Sequence, residues 1–197
     1  MLSTRFTLHS LVTEAHKTIQ GYLPNNGISI DATMGNGHDT LFLARHSAKV
    51  YAFDIQAVAL TNTRQRLQKN GFNFNPQTHP EIHLIHKGHE HMAHAIPGNE
   101  KIDAIMFNLG YLPHGENPII TQKHSTLTAL KQSLQLLNRQ GVLSILAYPG
   151  HAGGKAELDA IINWSQQLDD AAYAITLIHS IKETTESPRL FIISPIN

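Results

Sequence analysis

The chain of 197 residues contains no cysteine, which excludes disulfide scaffolds, cysteine-based zinc sites, iron–sulfur clusters and thiol nucleophiles. It has no apolar run of the ~18 residues that span a bilayer, and its first ten residues lack the apolar core of a signal peptide. Lys and Arg (15) balance Asp and Glu (15), for a formal net charge of +0. Proteins that hold nucleic acid by non-specific phosphate attraction are usually basic, so an RNA partner would need a local basic patch. We expect a cytoplasmic protein that does not bind membranes.

The composition is otherwise that of an ordinary folded protein, with 41% hydrophobic and 15% charged residues, which excludes a disordered chain. The length predicts one domain over 1–197, and apolar residues at helical spacing predict an N-terminal helix within 1–24. Histidine is unusually frequent, with 14 residues. Five of the histidines cluster in the middle of the chain: His83, His86, His89, His91 and His94. Zinc is a candidate metal for these histidines, but their spacing does not form a site with four ligands, so we expect no metal.

Apolar runs alternate with helix-like segments along the chain. Five of these runs predict strands: GISIDAT, KVYAFDI, EIHLIHK, KIDAIMFN and GVLSILAY. Because helical segments separate them, we expect parallel pairing through right-handed crossovers. Two last strands, YAITLIHSI and RLFIISPI, have no helix between them, which predicts an antiparallel hairpin. The predicted fold class is α/β, a doubly wound, mostly parallel seven-stranded sheet whose ligands bind beyond the carboxyl ends of the strands.

A glycine-bearing turn, DATMGNGHDT, follows the first of these strands and opens a helix. Gly35 and Gly37 let the backbone pass close to a ligand with positive φ, and Asp39 or Thr40 can cap the helix. A dinucleotide fingerprint requires a third glycine at position 40, where this chain has a threonine. Asp31 opens the motif and places a negative charge near the loop, which suits a cationic ligand better than a diphosphate.

A second acid, Asp54, ends the next strand, where a carboxylate can accept both hydroxyls of a ribose. S-adenosylmethionine has a ribose, a cationic sulfonium and an ammonium group, so it suits both acids. After the third strand, Glu90 could accept from the amino group of an adenine, with His89 packed beside it. The alternatives are a nicotinamide cofactor, and structural turns or a helix cap that carry incidental acids.

The fourth strand ends in Asn108-Leu109-Gly110-Tyr111-Leu112-Pro113, which resembles the Asn-Pro-Pro-Tyr-like motif of amino-group methyltransferases. An amine that receives a methyl group must point its lone pair at the methyl carbon. The Asn108 side-chain oxygen and the Leu109 carbonyl can accept the amine's hydrogens and set that direction, while Tyr111 can stack on a base. A proline-terminated strand whose asparagine caps a turn is the structural alternative.

A glycine-rich segment after the fifth strand, 148–154, carries an aromatic residue and a histidine. Tyr148 and His151 are therefore candidates for one wall of a substrate pocket. The same segment is equally typical of a plain turn before a helix.

Four segments together, DATMGNGHDTLFLA, FDIQ, FNLGYLPHG and YPGHAGGKAE, resemble the rRNA methylase family, now associated with bacterial tRNA methyltransferases that complete 5-methylaminomethyl-2-thiouridine at the wobble position. The resemblance implies a class I, Rossmann-like methyltransferase that uses S-adenosyl-L-methionine to methylate the 5-aminomethyl nitrogen. Asn108, Tyr111 and His114 are then the catalytic candidates, and Pro113 joins Tyr111, Tyr148 and His151 on the substrate side. With the residues argued above, the expected cofactor site comprises Asp31, Thr33, Gly35, Asn36, Gly37, Asp39, Thr40, Asp54, Gln56, His89, Glu90 and Asn108.

The partner implied by the resemblance is tRNA, held by its anticodon arm. Because the net charge is +0, basic side chains must cluster to hold it; the candidates are Arg5, His9, Lys17, Lys123, His124, Lys131 and Lys155. A small neutral domain offers little surface to a tRNA arm, so we also expect a homodimer. The alternatives are a methyltransferase of rRNA or of a small amine, and a non-catalytic domain that binds S-adenosylmethionine. An asparagine placed to orient an amine argues against the last.

Overall fold

An eight-stranded sheet organises the protein, in the order β1-β7-β8-β6-β5-β2-β3-β4. The computed structural model describes residues 2–75, 79–110, 120–181, 184 and 186–196. The strands are β1 Ser3–Thr7, β2 Ile28–Asp31, β3 Lys49–Asp54, β4 Glu81–His86, β5 Ile102–Leu109, β6 Leu137–Ala147, β7 Tyr173–Ser180 and β8 Arg189–Pro195. The helices within these ranges are α1 Leu11–Tyr22, α2 His38–His46, α3 Ala57–Lys69, α4 Met92–Ala95, α5 Lys123–Leu136 and α6 Gly154–Gln166, with a 3₁₀ turn at His89–His91.

Strand pairing confirms the predicted doubly wound sheet. β2 to β6 pair in parallel, and β8 runs antiparallel to both β6 and β7. The sheet has eight strands rather than the predicted seven, because β1 adds to the edge of β7 in parallel. Four of the five β1 side chains are exposed, so the segment lacks the alternating apolar face from which a strand is predicted.

Both faces of the sheet are covered by helices, and β5 shows the consequence. Ile105 and Phe107 belong to a core that includes residues of α5 and α6. Met106, between them, belongs to a second core that includes residues of α1, α2 and α3. A strand buried on both faces is apolar throughout, which explains the continuous runs in the sequence. Among the described residues, no helix has the length and apolarity to traverse a bilayer.

The strand order brings polar strand ends together. β2 lies between β3 and β5, so the order reverses beside β2 and leaves a crevice there. The carboxyl ends of β2, β3, β5 and β6 share one edge of the sheet, called the carboxyl edge below. Since each crossover helix starts where a strand ends, the first turns of α1, α5 and α6 also lie at this edge.

Candidate active site

The loop between β2 and α2 passes close to α3. Gly35 and Gly37 have φ of 49° and 75°, which confirms the predicted positive φ. A Cβ on Gly37 would lie 2.8 Å from the Thr63 Cα, so only glycine allows this approach. Gly37 is itself the N-cap of α2 and no side chain caps the helix. The prediction that Asp39 or Thr40 caps α2 is therefore wrong.

Asp31 holds this loop from inside. Its carboxylate accepts the Thr40 hydroxyl at 2.6 Å and the Thr33 N–H at 3.1 Å, and both Asp31 and Thr40 are fully buried. Burial, and secondarily the nearby Asp39 carboxylate, raise the pKa of Asp31 to about 7. The bonds that Asp31 makes to Thr33 and Thr40 shape the loop. That Asp31 and Thr40 contact the cofactor stays a prediction.

Asp54 ties the end of β3 to the same loop. One carboxylate oxygen accepts the Gly35 N–H at 3.0 Å and the other accepts the Gln56 N–H at 2.9 Å. Burial is the largest influence on this group and raises its pKa. Each oxygen keeps a further lone pair, so the carboxylate can still accept a hydroxyl at the carboxyl edge.

Asn36, another loop residue expected at the cofactor, is directed toward α3. Its side-chain oxygen accepts from the Asn62 amide at 2.9 Å, and its carbonyl accepts from Arg66 Nε at 2.6 Å. These bonds anchor the loop on its outer side. That Asn36 contacts the cofactor stays a prediction.

His89 and Glu90 follow β4 at the carboxyl edge. The His89 ring lies 5.6 Å from Phe107, is buried, and has a lowered pKa because burial disfavours its charged form. Its Nε2 has no hydrogen-bond partner among the described residues. Glu90 folds back over Gly88, where a Cβ would lie within 2.6 Å of its carboxyl carbon. A buried nitrogen without a partner is rare, and the polar edge of a bound nucleoside would supply one, so these residues fit S-adenosylmethionine.

Asn108 near the end of β5 is held at both its backbone and its side chain. Its N–H donates to Thr33 Oγ1 at 2.7 Å, and its Nδ2 donates to Asp39 Oδ2. The other Asp39 oxygen lies 2.6 Å from His16 Nε2. His16 was missed by the sequence analysis: it lies on α1, 23 residues before Asp39, and no motif signals it.

The Leu109 carbonyl, expected as a second acceptor for the amine, already accepts the Tyr148 N–H at 3.0 Å. This bond continues the β5–β6 ladder and uses one of the two lone pairs of the carbonyl oxygen, so the role of Leu109 as a second acceptor stays a prediction. A Cβ on Gly110 would lie 3.6 Å from Tyr148 Cβ and 3.8 Å from His151 Nε2, which places both predicted wall residues beside β5. Tyr111, Pro113 and His114 lie outside the described residues.

The clustered histidines have separate partners. His83 bonds to Glu81 at 2.7 Å and stacks on Tyr51 with ring centroids 4.8 Å apart. His86 bonds to the Ile55 carbonyl at 2.9 Å. Across the ranges that the structure covers, no three potential ligand side chains gather around one point. That the protein needs no metal remains a prediction.

The seven basic candidates for RNA contact do not share one face. Arg5, His9 and Lys17 lie on or before α1. On the other face of the sheet, α5 and α6 carry Lys123, His124, Lys131 and Lys155. Two of them are engaged by carboxylates: Arg5 with Glu14 at 2.7 Å and Lys155 with Asp159 at 2.9 Å. His9, Lys123 and His124 are exposed close to helix starts, so they flank the carboxyl edge from both sides.

Solved structures place this arrangement in a known class. SMU.1697c from Streptococcus mutans, described as "a putative methyltransferase" in complex with SAH, is 36% identical, with a TM-score of 0.86, over 96% of this chain and 100% of its own. A "putative rRNA-methylase" from Clostridium thermocellum is 29% identical, with a TM-score of 0.88, over 97% and 100%. The fold and site define a class I S-adenosylmethionine-dependent methyltransferase, and the predicted fold class and cofactor are confirmed.

The family described as "Putative rRNA methylase" matches residues 50–194. The chain belongs to this rRNA methylase family, as the four sequence segments indicated. A curated relative, the chloroplastic tRNA (mnm(5)s(2)U34)-methyltransferase of Arabidopsis thaliana, is 34% identical over 155 residues and 75% of this chain. The chain spans 56% of the length of that relative.

Proposed function

We propose that this methyltransferase transfers one methyl group to the primary amine of 5-aminomethyl-2-thiouridine at the wobble position of tRNA. The observation that carries the proposal is the Asn108 side chain at the carboxyl edge. Its NH₂ group is used by Asp39, so its oxygen is the end left to accept an N–H from an amine. The curated relative, whose name carries the methylated nucleoside mnm(5)s(2)U34, supports this substrate.

The cofactor side supplies the place for the methyl donor. The Gly35–Gly37 turn, Asp54 and the unpartnered His89 Nε2 are the groups of this chain that would hold it. When bound, S-adenosylmethionine supplies a methyl group: the N–C bond forms as the S–C bond breaks, and the product amine releases one proton. Asn108 lies between this side and Tyr148, since β5 separates β2 from β6 in the sheet.

The protein's own task is to orient a neutral amine. A free alkylamine is mostly protonated near neutral pH and then has no lone pair to attack with. An acceptor oxygen at Asn108 holds one N–H and leaves the lone pair free to point along the line of transfer. We assign departure of the proton to water or His114 and stacking on the base to Tyr111 and Pro113; these three residues lie outside the described ranges.

RNA would approach the carboxyl edge. Tyr148 is 37% exposed there, and it and His151 form the proposed substrate wall. His9, Lys123 and His124 lie on both sides of this edge and would meet the anticodon arm. Self-association remains a prediction, and a partner copy would add surface that this neutral chain lacks.

The test is a single-turnover methylation of tRNA that carries the aminomethyl precursor, with nucleoside mass spectrometry as the readout. We expect conversion to the 5-methylaminomethyl nucleoside, and no product on tRNA whose wobble uridine lacks the aminomethyl group. Methylation of ribosomal RNA, with the tRNA nucleoside unchanged, would establish the rRNA alternative instead. Donor binding without methyl transfer to tRNA, rRNA or a free alkylamine would indicate a non-catalytic binding domain.

A further inference from the structure

The Asp39 carboxylate is shared between two side chains from other elements. Asn108 Nδ2, on β5, donates to its Oδ2, and His16 Nε2, on α1, lies 2.6 Å from its Oδ1. The Asp39 side chain is only 8% exposed. A carboxylate has no hydrogen to donate, so Nε2 of His16 carries the proton in this bond. Asp39 therefore holds two donors at once.

This arrangement decides which way the Asn108 amide faces. An amide presents an NH₂ group at one end and an oxygen at the other, and the two ends are similar in shape. Turning the amide over would set its oxygen against the Asp39 carboxylate, where two acceptors repel and the bond from Nδ2 to Oδ2 is lost. Because the Asn108 backbone is also fixed by Thr33, the amide oxygen points away from Asp39.

His16 is itself held in place. Its ring stacks on Phe42 with centroids 3.9 Å apart and an angle of 1° between the planes. Phe42 is on α2, one turn after Asp39, so the same helix supplies both the carboxylate and the surface that orients the imidazole. The chain His16–Asp39–Asn108 thus links α1, α2 and β5 by side chains alone.

We infer that Asp39 and His16 are positioning residues, which act through Asn108 by keeping its oxygen turned to the acceptor amine. The catalytic use of that oxygen rests on the proposed function, whereas the orientation of the amide does not. Asp39 was expected on the cofactor side; its two strong bonds instead assign it to the acceptor side.

The orientation is tested without substrate by NMR of protein labelled with ¹⁵N-asparagine. The Asn108 side-chain amide is identified by its loss in Asn108→Ala. In the wild type we expect one of its protons to be shifted downfield and slow to exchange, because it is bonded to a carboxylate. Asp39→Ala should abolish both signatures, and His16→Ala should weaken them. If Asp39→Ala leaves the Asn108 amide unchanged, the inference is overturned.

Kinetics on the aminomethyl tRNA separates positioning from cofactor binding. Since a misplacement near 1 Å can cost about 100-fold in rate, Asp39→Ala should lower kcat by roughly 10- to 100-fold while KM for tRNA and the Kd for S-adenosylmethionine stay within about threefold. His16→Ala should have a smaller effect of the same kind. His16→Gln should restore turnover, because the Gln amide places an N–H donor where His16 Nε2 stands.

The matched control is His46→Ala. His46 contacts the same Phe42 ring, with centroids 4.7 Å apart, but bonds to the Phe42 carbonyl and not to Asp39. The kcat of His46→Ala should equal that of the wild type.

If Asp39→Ala unfolds, Asp39→Asn and the His16 variants test the same positioning role. A loss of S-adenosylmethionine affinity larger than the loss of kcat would make Asp39 a cofactor ligand and overturn the inference. If the wild type fails to methylate this tRNA, the proposed function falls, while the NMR result still decides the orientation.

Discussion

Two asparagine–aspartate pairs lie at opposite edges of the sheet. At the carboxyl edge, Asn108 Nδ2 donates to Asp39. At the opposite edge, called the amino edge, where β2, β5 and β6 begin, Asn138 Nδ2 donates to Asp103 at 2.8 Å. The second oxygen of Asp103 accepts the Ile28 backbone N–H at 2.9 Å. The second oxygen of Asp39 contacts the His16 side chain.

The difference between the pairs is what surrounds them. Asp103 closes a bond inside the sheet, next to the first residue of β2, so the amino-edge pair fastens three strands together. Asp39 receives two side chains at the crevice where the strand order reverses. Within the described ranges, the carboxyl-edge pair leaves the amide oxygen of Asn108 without a hydrogen-bond partner. The same hydrogen bond therefore serves stability at one edge and, under the proposed function, chemistry at the other.

Replacing Asn108 and Asn138 with alanine, one at a time, should give the largest difference between the two edges. Each substitution leaves a largely buried aspartate with one donor fewer, so both should lose about 1–3 kcal/mol of unfolding free energy. Asn108→Ala should also lower single-turnover methylation by about 100-fold, because it removes the group that orients the amine. Donor affinity should hardly change. Thermal melts measure stability, calorimetry measures donor affinity and rapid-quench kinetics measures methyl transfer. Full turnover in Asn108→Ala would contradict the orienting role of Asn108.

Two aspartates extend the comparison to cofactor binding. Loss of a hydrogen bond to a charged group costs ~1.5–3 kcal/mol, so Asp54→Ala should weaken S-adenosylmethionine binding roughly 10- to 150-fold. Asp103→Ala, at the amino edge, should lose stability and keep its affinity. Titration calorimetry on both variants gives the answer, and equal affinities in Asp54→Ala and the wild type would contradict the assignment of Asp54 to the cofactor.

Asp31 should make the carboxyl edge sensitive to pH. Its folded pKa is about 7 against 3.8 for the free group. Between those values the folded protein keeps a proton that the unfolded chain has released, so this group's contribution to stability falls as pH rises from about 4 to about 7. Asp31→Asn removes the titration.

The Tm of Asp31→Asn relative to the wild type should therefore be higher at pH 8 than at pH 5, by a few degrees at about 2–4 °C per kcal/mol. Asp159→Asn, on the exposed surface of α6, serves as the reference for a simple change of charge. Parallel Tm curves for Asp31→Asn and the wild type across this range would show that Asp31 does not titrate there.

The smallest expected effect concerns the histidines after β4. Exhaustive chelation should leave donor affinity and methyl transfer unchanged, since His83, His86 and His89 contact three different neighbours. Metal analysis of the purified protein accompanies the assay. Stoichiometric zinc, with activity lost on chelation and restored by zinc, would show that the cluster forms a site.

Much of the carboxyl edge could be predicted because its contacts are short in sequence. Asp54 binds the N–H of Gln56, two residues on, and Asp31 binds the N–H of Thr33. An apolar run that ends in an acid predicts such a strand end directly. The same reasoning missed β1, whose exposed side chains carry no pattern. It also did not find the bond from the Tyr148 N–H to the Leu109 carbonyl, which joins residues 39 positions apart.

The sequence by itself determined the alternation of strands and helices, the glycine turn with positive φ, and the polar residues at the ends of β2, β3 and β5. These follow from local periodicity and backbone sterics, which act within a few residues. Only the tertiary structure decided that Asn108 meets Asp39, 69 residues away in the chain, and that His16 meets the same carboxylate. No local rule reaches that far, because such contacts exist only after the helices have packed on the sheet and placed α1, α2 and β5 side by side.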